Sequence, residues 1–247
     1  MVEKFRFFEK NPELYEQSFD YRAINTQVKF LDKVFSKNKA KTILDIACGH
    51  TPQGRRLAKL GYKVSGIDLS DALLNLATKR AEQEGVKIKL YKRNMKRFDI
   101  GKFDAAYILF SSILHLYKSK DLVSHFKAVN KNLKKDGLYI IDLSSLPFDS
   151  PFKPAIFKKS KENVKTIINY KPLNKKNLTA KFTCTSFLKG KEINKDSFIV
   201  RMFLSLETMK GLAKKTGFEI LNIYKDFKFN RKLNPKKHEY IVILKKK

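Results

Sequence analysis

The sequence has no tryptophan and only two cysteines among its 247 residues. Two cysteines cannot build a disulfide framework, and one of them, Cys48, lies in a tight turn that is a candidate binding site. No group of histidines and cysteines has the spacing of metal ligands, so no metal is expected. The cysteine content therefore favours an enzyme or binding protein of a reducing compartment, and the cytoplasm is the predicted location.

Long apolar runs are also missing. No stretch of the sequence approaches the roughly 18 uninterrupted apolar residues of a membrane-spanning helix, so no membrane partner is expected. The first residues carry Glu3, Lys4 and Arg6 close together and lack the apolar core of a signal peptide.

Acidic residues are scarce as well. Asp and Glu number 24 against 53 Lys and Arg, which gives a formal net charge of +29. Such a charge indicates a nucleic-acid partner. However, lysine outnumbers arginine 44 to 9 and is spread along the chain, whereas phosphate and base recognition commonly uses the arginine fork. A lysine-rich surface without any nucleic-acid role is the alternative, and the sequence leaves both open.

The hydrophobic content of 43% is ordinary for a packed core, and the length suits one large domain with an insertion. The most informative segment is residues 41–61. Ile43 to Ile46 predicts a buried strand with Asp45 near its carboxyl end, and Ala47 and Gly49 allow a sharp turn. Thr51 and Pro52 predict an N-cap and a first-turn proline of the helix that follows.

A second strand is predicted at residues 62–67, followed by Asp68. A carboxylate about twenty residues after a glycine turn commonly binds a ribose hydroxyl pair. Ser70 and Asp71 are then positioned to cap the next helix. In an open α/β sheet, both carboxylates would lie at the edge where ligands bind.

These two segments, 44–49 and 66–70, resemble motif I and its acidic partner in class I S-adenosylmethionine-dependent methyltransferases. A dinucleotide fingerprint would instead show three glycines in the pattern G-x-G-x-x-G, and that pattern is broken here. The resemblance implies an α/β fold, namely a Rossmann-like seven-stranded sheet that is mostly parallel with an antiparallel last strand, and it implies S-adenosylmethionine as cofactor with S-adenosylhomocysteine as product.

The same resemblance assigns roles to individual residues. Asp45 would lie near the methionine amino group, and the backbone of residues 47–49 would approach the ligand. The acid at position 68 would bind the ribose, while Asn94 would bind the adenine amino group. The full predicted cofactor set is Tyr15, Tyr21, Arg22, Asp45, Ala47, Cys48, Gly49, Asp68, Leu69, Asn94, Met95, Phe110 and His115.

Residues 103–110 form an apolar run that predicts a central strand buried on both faces. The segment 109–116 after it resembles small-molecule N-methyltransferases of the glycine and aminosugar types, and the Asn/Asp-Pro-Pro-Tyr/Phe tetrad is absent. Ser111 and His115 are the catalytic candidates. Histidine is able to act as a base near neutral pH, although a structural histidine is equally consistent with the sequence.

A helix at 121–133 and a strand at 138–143, joined by a turn at 134–137, complete the predicted core. Prolines at 147, 151 and 154 then mark a boundary, and residues 160–204 alternate like antiparallel strands, with turns at 174–177 and 189–191. The predicted organisation is a binding core over 1–146, a β insertion over 147–204 that covers the substrate, and completion of the core sheet over 205–247.

The sequence therefore predicts methyl transfer to a nitrogen or oxygen of a small molecule, by a monomer or homodimer. Two alternatives remain at this stage. One is an RNA methyltransferase that uses the basic surface. The other is a non-catalytic cofactor-binding protein, because Thr51 and Pro52 stand where the family usually has a glycine.

Overall fold

The computed structural model describes residues 9–18, 23–143, 155–159, 164–174, 177–230, 232–233 and 239–247. Its helices are α1 (Pro12–Ser18), α2 (Ile24–Lys37), α3 (Pro52–Lys59), α4 (Asp71–Gln83), α5 (Ser119–Asn132) and α6 (Leu206–Lys215), with a 3₁₀ helix at Ser112–His115. Its strands are β1 (Thr42–Ile46), β2 (Lys63–Asp68), β3 (Ile88–Lys92), β4 (Phe103–Ile108), β5 (Leu133–Leu143), β6 (Ala155–Lys159), β7 (Val164–Asn174), β8 (Thr179–Leu188), β9 (Lys191–Arg201), β10 (Phe218–Tyr224) and β11 (Tyr240–Lys246).

Seven strands form the core sheet, in the order β10-β11-β5-β4-β1-β2-β3. The five strands from β1 to β5 are parallel, and β11 runs antiparallel to both β5 and β10. This confirms the predicted fold class. The strand order reverses between β1 and β4, so a crevice for a ligand opens at the carboxyl ends of these two strands.

The core lies on both faces of this sheet because side chains along a strand alternate between faces. On one face, Ala106 and Ile108 pack with apolar residues of α5 and α6. On the other, Ala105 and Tyr107 pack with apolar residues of α2 and α3. The central strands are thus buried on both sides and hold the loops at their carboxyl ends in fixed positions.

The predicted turn at residues 134–137 is wrong. These residues belong to the first part of β5, and the pairing of β4 with β5 shifts between Phe103 and Ala105. The irregularity absorbs the extra residues, with Asp136 at a φ of 61°. A lysine-rich sequence with a glycine therefore forms a bulged strand start here instead of a separate turn.

The insertion is a separate four-stranded antiparallel sheet, in the order β6-β7-β8-β9, and is called the insertion sheet below. Strand β7 pairs antiparallel with β8, and β8 with β9, as the two predicted hairpins require, although residues 175–176 of the first predicted turn lie outside the described residues. The loop between β8 and β9 consists of Lys189 and Gly190, which have φ values of 50° and 78°, as a two-residue hairpin turn requires. Strand β6 precedes the predicted strand region and was missed. The boundary predicted between 146 and 147 lies outside the described residues.

Candidate active site

The turn after β1 has an unusual backbone. Ala47, Gly49 and Thr51 alternate into the left-handed region, with φ values of 54°, 54° and 45°. The amide of Cys48 donates to the carbonyl of Ile67 at 3.0 Å, which ties the turn to β2. Small residues at 47 and 49 lower the steric cost of this conformation and leave the backbone open to close approach by a ligand.

Helix α3 begins as predicted, with Thr51 at the N-cap position and Pro52 in the first turn. The predicted role of the Thr51 side chain is wrong, because it makes no capping hydrogen bond. A capping residue normally has an extended backbone, whereas Thr51 is left-handed. Its hydroxyl instead donates a 2.8 Å hydrogen bond to Oδ2 of Asp45.

Asp45 is buried at the end of β1, beneath the turn. Burial raises the pKa of this carboxyl to about 7, and the nearby Asp68 charge also raises it, while the Thr51 hydroxyl opposes the shift. The hydroxyl of Tyr107, buried on the neighbouring strand, also opposes the shift in the pKa of Asp45. A cation placed beside Asp45 would relieve the cost of ionising it.

Asp68 connects the turn after β1 with the turn after β2. Its Oδ2 accepts a hydrogen bond from the amide of Gly49 at 2.8 Å, and its Oδ1 accepts from the amide of Ser70 at 2.9 Å. Burial raises the pKa of Asp68, while these amide hydrogen bonds act in the opposite direction. Ser70 caps α4 as predicted, because its hydroxyl accepts from the amide of Leu73.

The predicted adenine residues lie further along the same sheet edge. Leu69 is exposed directly after Asp68. Asn94 follows β3, and its Oδ1 accepts from the amide of Lys96 at 2.9 Å. The Met95 side chain packs partly on the core, and its carbonyl accepts from Nδ1 of the buried His125 at 2.7 Å. His125 therefore fixes the loop that carries these two residues.

The segment after β4 turns sharply at two successive left-handed residues. Phe110 and Ser111 have φ values of 55° and 56°, and the amide of Phe110 donates to Oδ2 of Asp142 on β5 at 3.0 Å. The 3₁₀ helix that follows carries His115, whose ring lies 5.0 Å from that of Phe198 on the insertion sheet. Burial lowers the pKa of His115 to about 4, so its imidazole is neutral at pH 7.

The N-terminal helix α1 packs against the turn after β1. Tyr15 lies edge-on to the ring of His50, with 6.0 Å between centroids. Glu16, one residue later, forms an ion pair with Arg80 at 2.6 Å and approaches Arg55 at 3.9 Å. Two further predicted residues of this region, Tyr21 and Arg22, lie outside the described residues.

These elements enclose a cavity of about 190 Å³ between the core sheet and the insertion sheet. Eight predicted site residues line it, namely Tyr15, Asp45, Ala47, Cys48, Gly49, Phe110, Ser111 and His115. Asp68, Leu69, Asn94 and Met95 do not line the cavity. They lie beside it along the sheet edge, and Asp68 is joined to it through Gly49.

Comparison with known proteins agrees with this geometry. The family described as "Methyltransferase domain" matches residues 43–137. A candidate methyltransferase of Geobacillus sp. (strain WCH70) is 30% identical over 200 residues, which cover 79% of this chain and 81% of that protein. This chain belongs to the class I methyltransferases. It is an S-adenosylmethionine-dependent enzyme, as the motifs at 44–49 and 66–70 predicted.

Two further similarities bear on this methyltransferase. The structure of a S-adenosylmethionine-dependent methyltransferase from Clostridium acetobutylicum ATCC 824 superposes with a TM-score of 0.82 at 19% identity, covering 97% of this chain and 98% of that one. The dTDP-3-amino-3,6-dideoxy-alpha-D-glucopyranose N,N-dimethyltransferase of Streptomyces fradiae is 31% identical over 105 residues, 42% of this chain and 40% of that enzyme. The first shows that the fold, including the insertion, is shared along nearly the whole chain.

The donor set of the methyltransferase fits its cofactor. Asp45 is buried with a hydroxyl as its hydrogen-bond partner and is suited to an ammonium group, and Asp68 presents a carboxylate at the next strand end.

Within the described ranges, no three His, Cys, Asp or Glu residues are grouped so as to hold a metal ion. No described helix is long and apolar enough to cross a membrane.

The sequence analysis missed the part of the site that the insertion sheet contributes. Its cavity-lining residues are Tyr170, Phe182, Cys184, Phe198, Val200 and Arg201. The alternating pattern correctly predicted strands with one apolar face. It did not indicate which face meets the core, because that depends on how the two sheets pack. Two further residues were missed because their partners are distant along the chain: Gln53, which lines the cavity and donates to Oε1 of Gln27 at 2.8 Å, and Asp142, which accepts from the amide of Phe110.

Proposed function

We propose that this methyltransferase acts on a nitrogen or oxygen atom of a small molecule bound between the core sheet and the insertion sheet. The observation that carries the proposal is the cavity of about 190 Å³ between the two sheets. The predicted cofactor turns form one wall of it, and an aromatic wall from β7 to β9 forms the other. A space of this size suits a metabolite better than a nucleic-acid strand.

The chain's own residues would perform binding, orientation and exclusion of water. S-adenosylmethionine would supply an activated methyl group that already carries its leaving group. Asp45 would hold the methionine amino group and Asp68 the ribose hydroxyls. Asn94 would accept from the adenine amino group, with Leu69 and Met95 flanking the ring. The remaining task is to hold the acceptor atom in line with the methyl group.

His115 and Ser111 are the residues that would contact the acceptor. Because the pKa of His115 is lowered to about 4, its imidazole would be a neutral hydrogen-bond acceptor across the physiological range. It would orient the proton of an amine or hydroxyl and would be a weak general base. This suits a neutral amine nucleophile, which needs little proton abstraction before attack.

The aromatic wall would shield the reacting groups from water. Phe182 and Phe198 are stacked with 4.7 Å between centroids, and Tyr170 meets Phe182 edge-on at 4.8 Å. An amine acceptor with an apolar or sugar ring would pack on such a surface. The Streptomyces fradiae relative, by its name, dimethylates the nitrogen of an aminosugar nucleotide, which favours nitrogen as the acceptor here.

Calorimetric titration tests the cofactor part of the proposal. We expect S-adenosylmethionine and S-adenosylhomocysteine to bind with micromolar affinity, and NAD not to bind. Transfer of a radiolabelled methyl group to a small-molecule extract, but not to protein or RNA, would then support the acceptor class. Absence of binding by both S-adenosylmethionine and S-adenosylhomocysteine would refute the proposed cofactor residues.

The net charge of +29 favours one other candidate, an RNA methyltransferase. A gel shift with bulk tRNA across a salt series separates the two. Binding at physiological ionic strength with a steep salt dependence, together with methyl incorporation into that RNA, would favour RNA as substrate. Weak binding without incorporation would favour the small acceptor.

A further inference from the structure

Arg201 is a half-buried cation of the cavity wall. It is the last residue of β9 and lines the cavity together with Val200 and Met202. Nη2 of its guanidinium donates to the carbonyl of Tyr117 at 2.9 Å and to Oγ of Ser119 at 3.3 Å. These two bonds attach the end of the insertion sheet to the loop directly after the 3₁₀ helix, and they hold the guanidinium in one orientation.

A second nitrogen of the guanidinium, Nε, is buried and has no partner among the described residues. No described carboxylate forms an ion pair with the guanidinium, and burial alone lowers its pKa. The N–H groups of a guanidinium match the geometry of a carboxylate or phosphate, and arginine is the residue most used to recognise these groups.

Arg201 lies close to the part of the cavity where the methyl acceptor is proposed to bind. Phe198, three residues earlier on β9, packs on the ring of His115, and Tyr117 lies two residues beyond that histidine. The guanidinium is therefore next to the side of the cavity where the acceptor would meet His115. Asp45, the one carboxylate among the described residues that line the cavity, lies near the end of β1 on the core sheet.

We propose that Arg201 is a specificity-determining residue that binds an oxyanion of the substrate, so that the acceptor of this enzyme carries a carboxylate or phosphate group besides its methylated atom. Nε–H would donate to an oxygen of that group, beside the Nη2 that is bonded to Tyr117 and Ser119. The identification of the bound molecule as the methyl acceptor rests on the proposed function, whereas the anion site itself depends only on the cavity.

The test uses the full chain saturated with S-adenosylhomocysteine, titrated by calorimetry with inorganic pyrophosphate and, separately, with malonate at physiological salt. We expect one saturable site, with at least a tenfold loss of affinity in Arg201→Met. Arg201→Gln keeps a hydrogen-bond donor for the Tyr117 carbonyl and is the second variant, in case the methionine variant does not fold. Lys195→Met, an exposed cation on the same strand, is the matched control and should bind as the wild type does.

The two probes distinguish the source of the oxyanion, since tighter pyrophosphate binding indicates a phosphorylated acceptor and tighter malonate binding a carboxylate. Equal affinities of wild type and both Arg201 variants, or no saturable site at all, would overturn the proposal. So would a parallel loss of S-adenosylhomocysteine affinity in the Arg201 variants, because Arg201 would then bind the cofactor's own carboxylate. Failure of the proposed function has a different signature, which is absence of S-adenosylhomocysteine binding in the wild type while the anion site still titrates.

Discussion

The hydroxyl of Thr51 donates to the buried carboxylate of Asp45 at 2.8 Å, and this bond depends on the absence of a side chain at Gly54. A Cβ at position 54 would lie 2.1 Å from Oγ1 of Thr51 and 3.5 Å from Oδ2 of Asp45. Gly54 is one turn into α3, so helix geometry brings it directly over this pair. The N-terminus of α3, the end of β1 and Gly54 are thus packed directly against one another.

The first prediction follows from that contact. Replacing glycine by alanine inside a helix normally stabilises a protein by up to about 1 kcal/mol. Gly54→Ala is expected to do the reverse and to lower the free energy of unfolding by about 2 kcal/mol, because the methyl group displaces Thr51 and leaves Asp45 without its donor. Gly211→Ala is the matched control, since Gly211 lies in α6 with nothing within 4 Å of the added methyl. Urea unfolding of both variants tests this, and equal stabilisation of the two would contradict it.

The second prediction concerns the pH dependence of cofactor binding. The pKa of Asp45 is raised to about 7, so the protonated form predominates below that pH, whereas an ammonium group binds the carboxylate. The affinity for S-adenosylmethionine should therefore fall by roughly tenfold from pH 8 to pH 6. Asp45→Asn should be weak and independent of pH. Calorimetry at several pH values measures both, and a flat profile for the wild type would refute the assignment of Asp45.

Stability supplies an independent readout at the same residue. A carboxyl whose pKa is higher folded than unfolded binds its proton more tightly when folded, and its contribution to stability is lost as pH rises from about 4 through 7. Asp45→Asn removes this loss. The variant is expected to be more stable than the wild type at pH 8 although it binds the cofactor less well.

The third prediction tests the ribose carboxylate. Asp68→Ala removes the acceptor for the proposed ribose hydroxyls and also for the amides of Gly49 and Ser70. We expect a loss of S-adenosylmethionine affinity of about 100-fold or more, equivalent to about 3 kcal/mol. Unchanged affinity by calorimetry would refute the assignment. The melting temperature must be measured alongside, to show that the turn still folds.

The fourth prediction concerns His125, which supports the loop that carries the predicted adenine-binding residues Asn94 and Met95. His125 donates from Nδ1 to the carbonyl of Met95 at 2.7 Å, and its Nε2 lies 2.6 Å from the hydroxyl of Tyr139, which donates to it. His125→Ala should lower the free energy of unfolding by about 3 kcal/mol, because it leaves a cavity and two buried groups without partners. Tyr139→Phe, which removes one of the two bonds, should cost about 1 kcal/mol. Equal losses in the two variants would argue against the Met95 contact.

Acid should lower the folding stability of the wild type through the titration of His125. Burial lowers the pKa of His125 to about 4, so between pH 6.5 and 4 the unfolded chain binds a proton that the folded chain does not. Stability is therefore lost as pH falls through this range. His125→Ala should show a shallower loss, in chemical denaturation at pH 7 and pH 5.

The fifth prediction concerns the docking of α1. Glu16 accepts hydrogen bonds from Arg80 with both carboxylate oxygens. Glu16→Gln should weaken cofactor binding several-fold, because Tyr15 next to it would be held less firmly over the first turn, while the melting temperature should change little. Glu13→Gln, an exposed position on the same helix, is the control. A large drop in melting temperature would show instead that α1 is part of the cooperative core.

The parts of the site that were predictable from sequence are those set by local chemistry. Asp45 and Gly49 belong to one short strand-turn-helix segment, where residue type and spacing determine the backbone path. Arg201 and Phe198 could not be predicted in the same way, because their place in the cavity depends on how the insertion sheet packs on the core. The role of Thr51 falls between these cases. Its position was predicted, but the direction of its hydroxyl depends on a left-handed backbone that a capping motif does not indicate.

The placement of β11 has a consequence for how the protein is synthesised. This strand lies between β5 and β10, and Leu143 pairs with Tyr240, about 100 residues later in the chain. While the chain is still on the ribosome, β5 therefore presents an unpaired apolar edge until the final strand has emerged. Nascent chains halted before Tyr240 should be sensitive to proteases and bound by chaperones, because the core sheet cannot be completed until β11 has emerged.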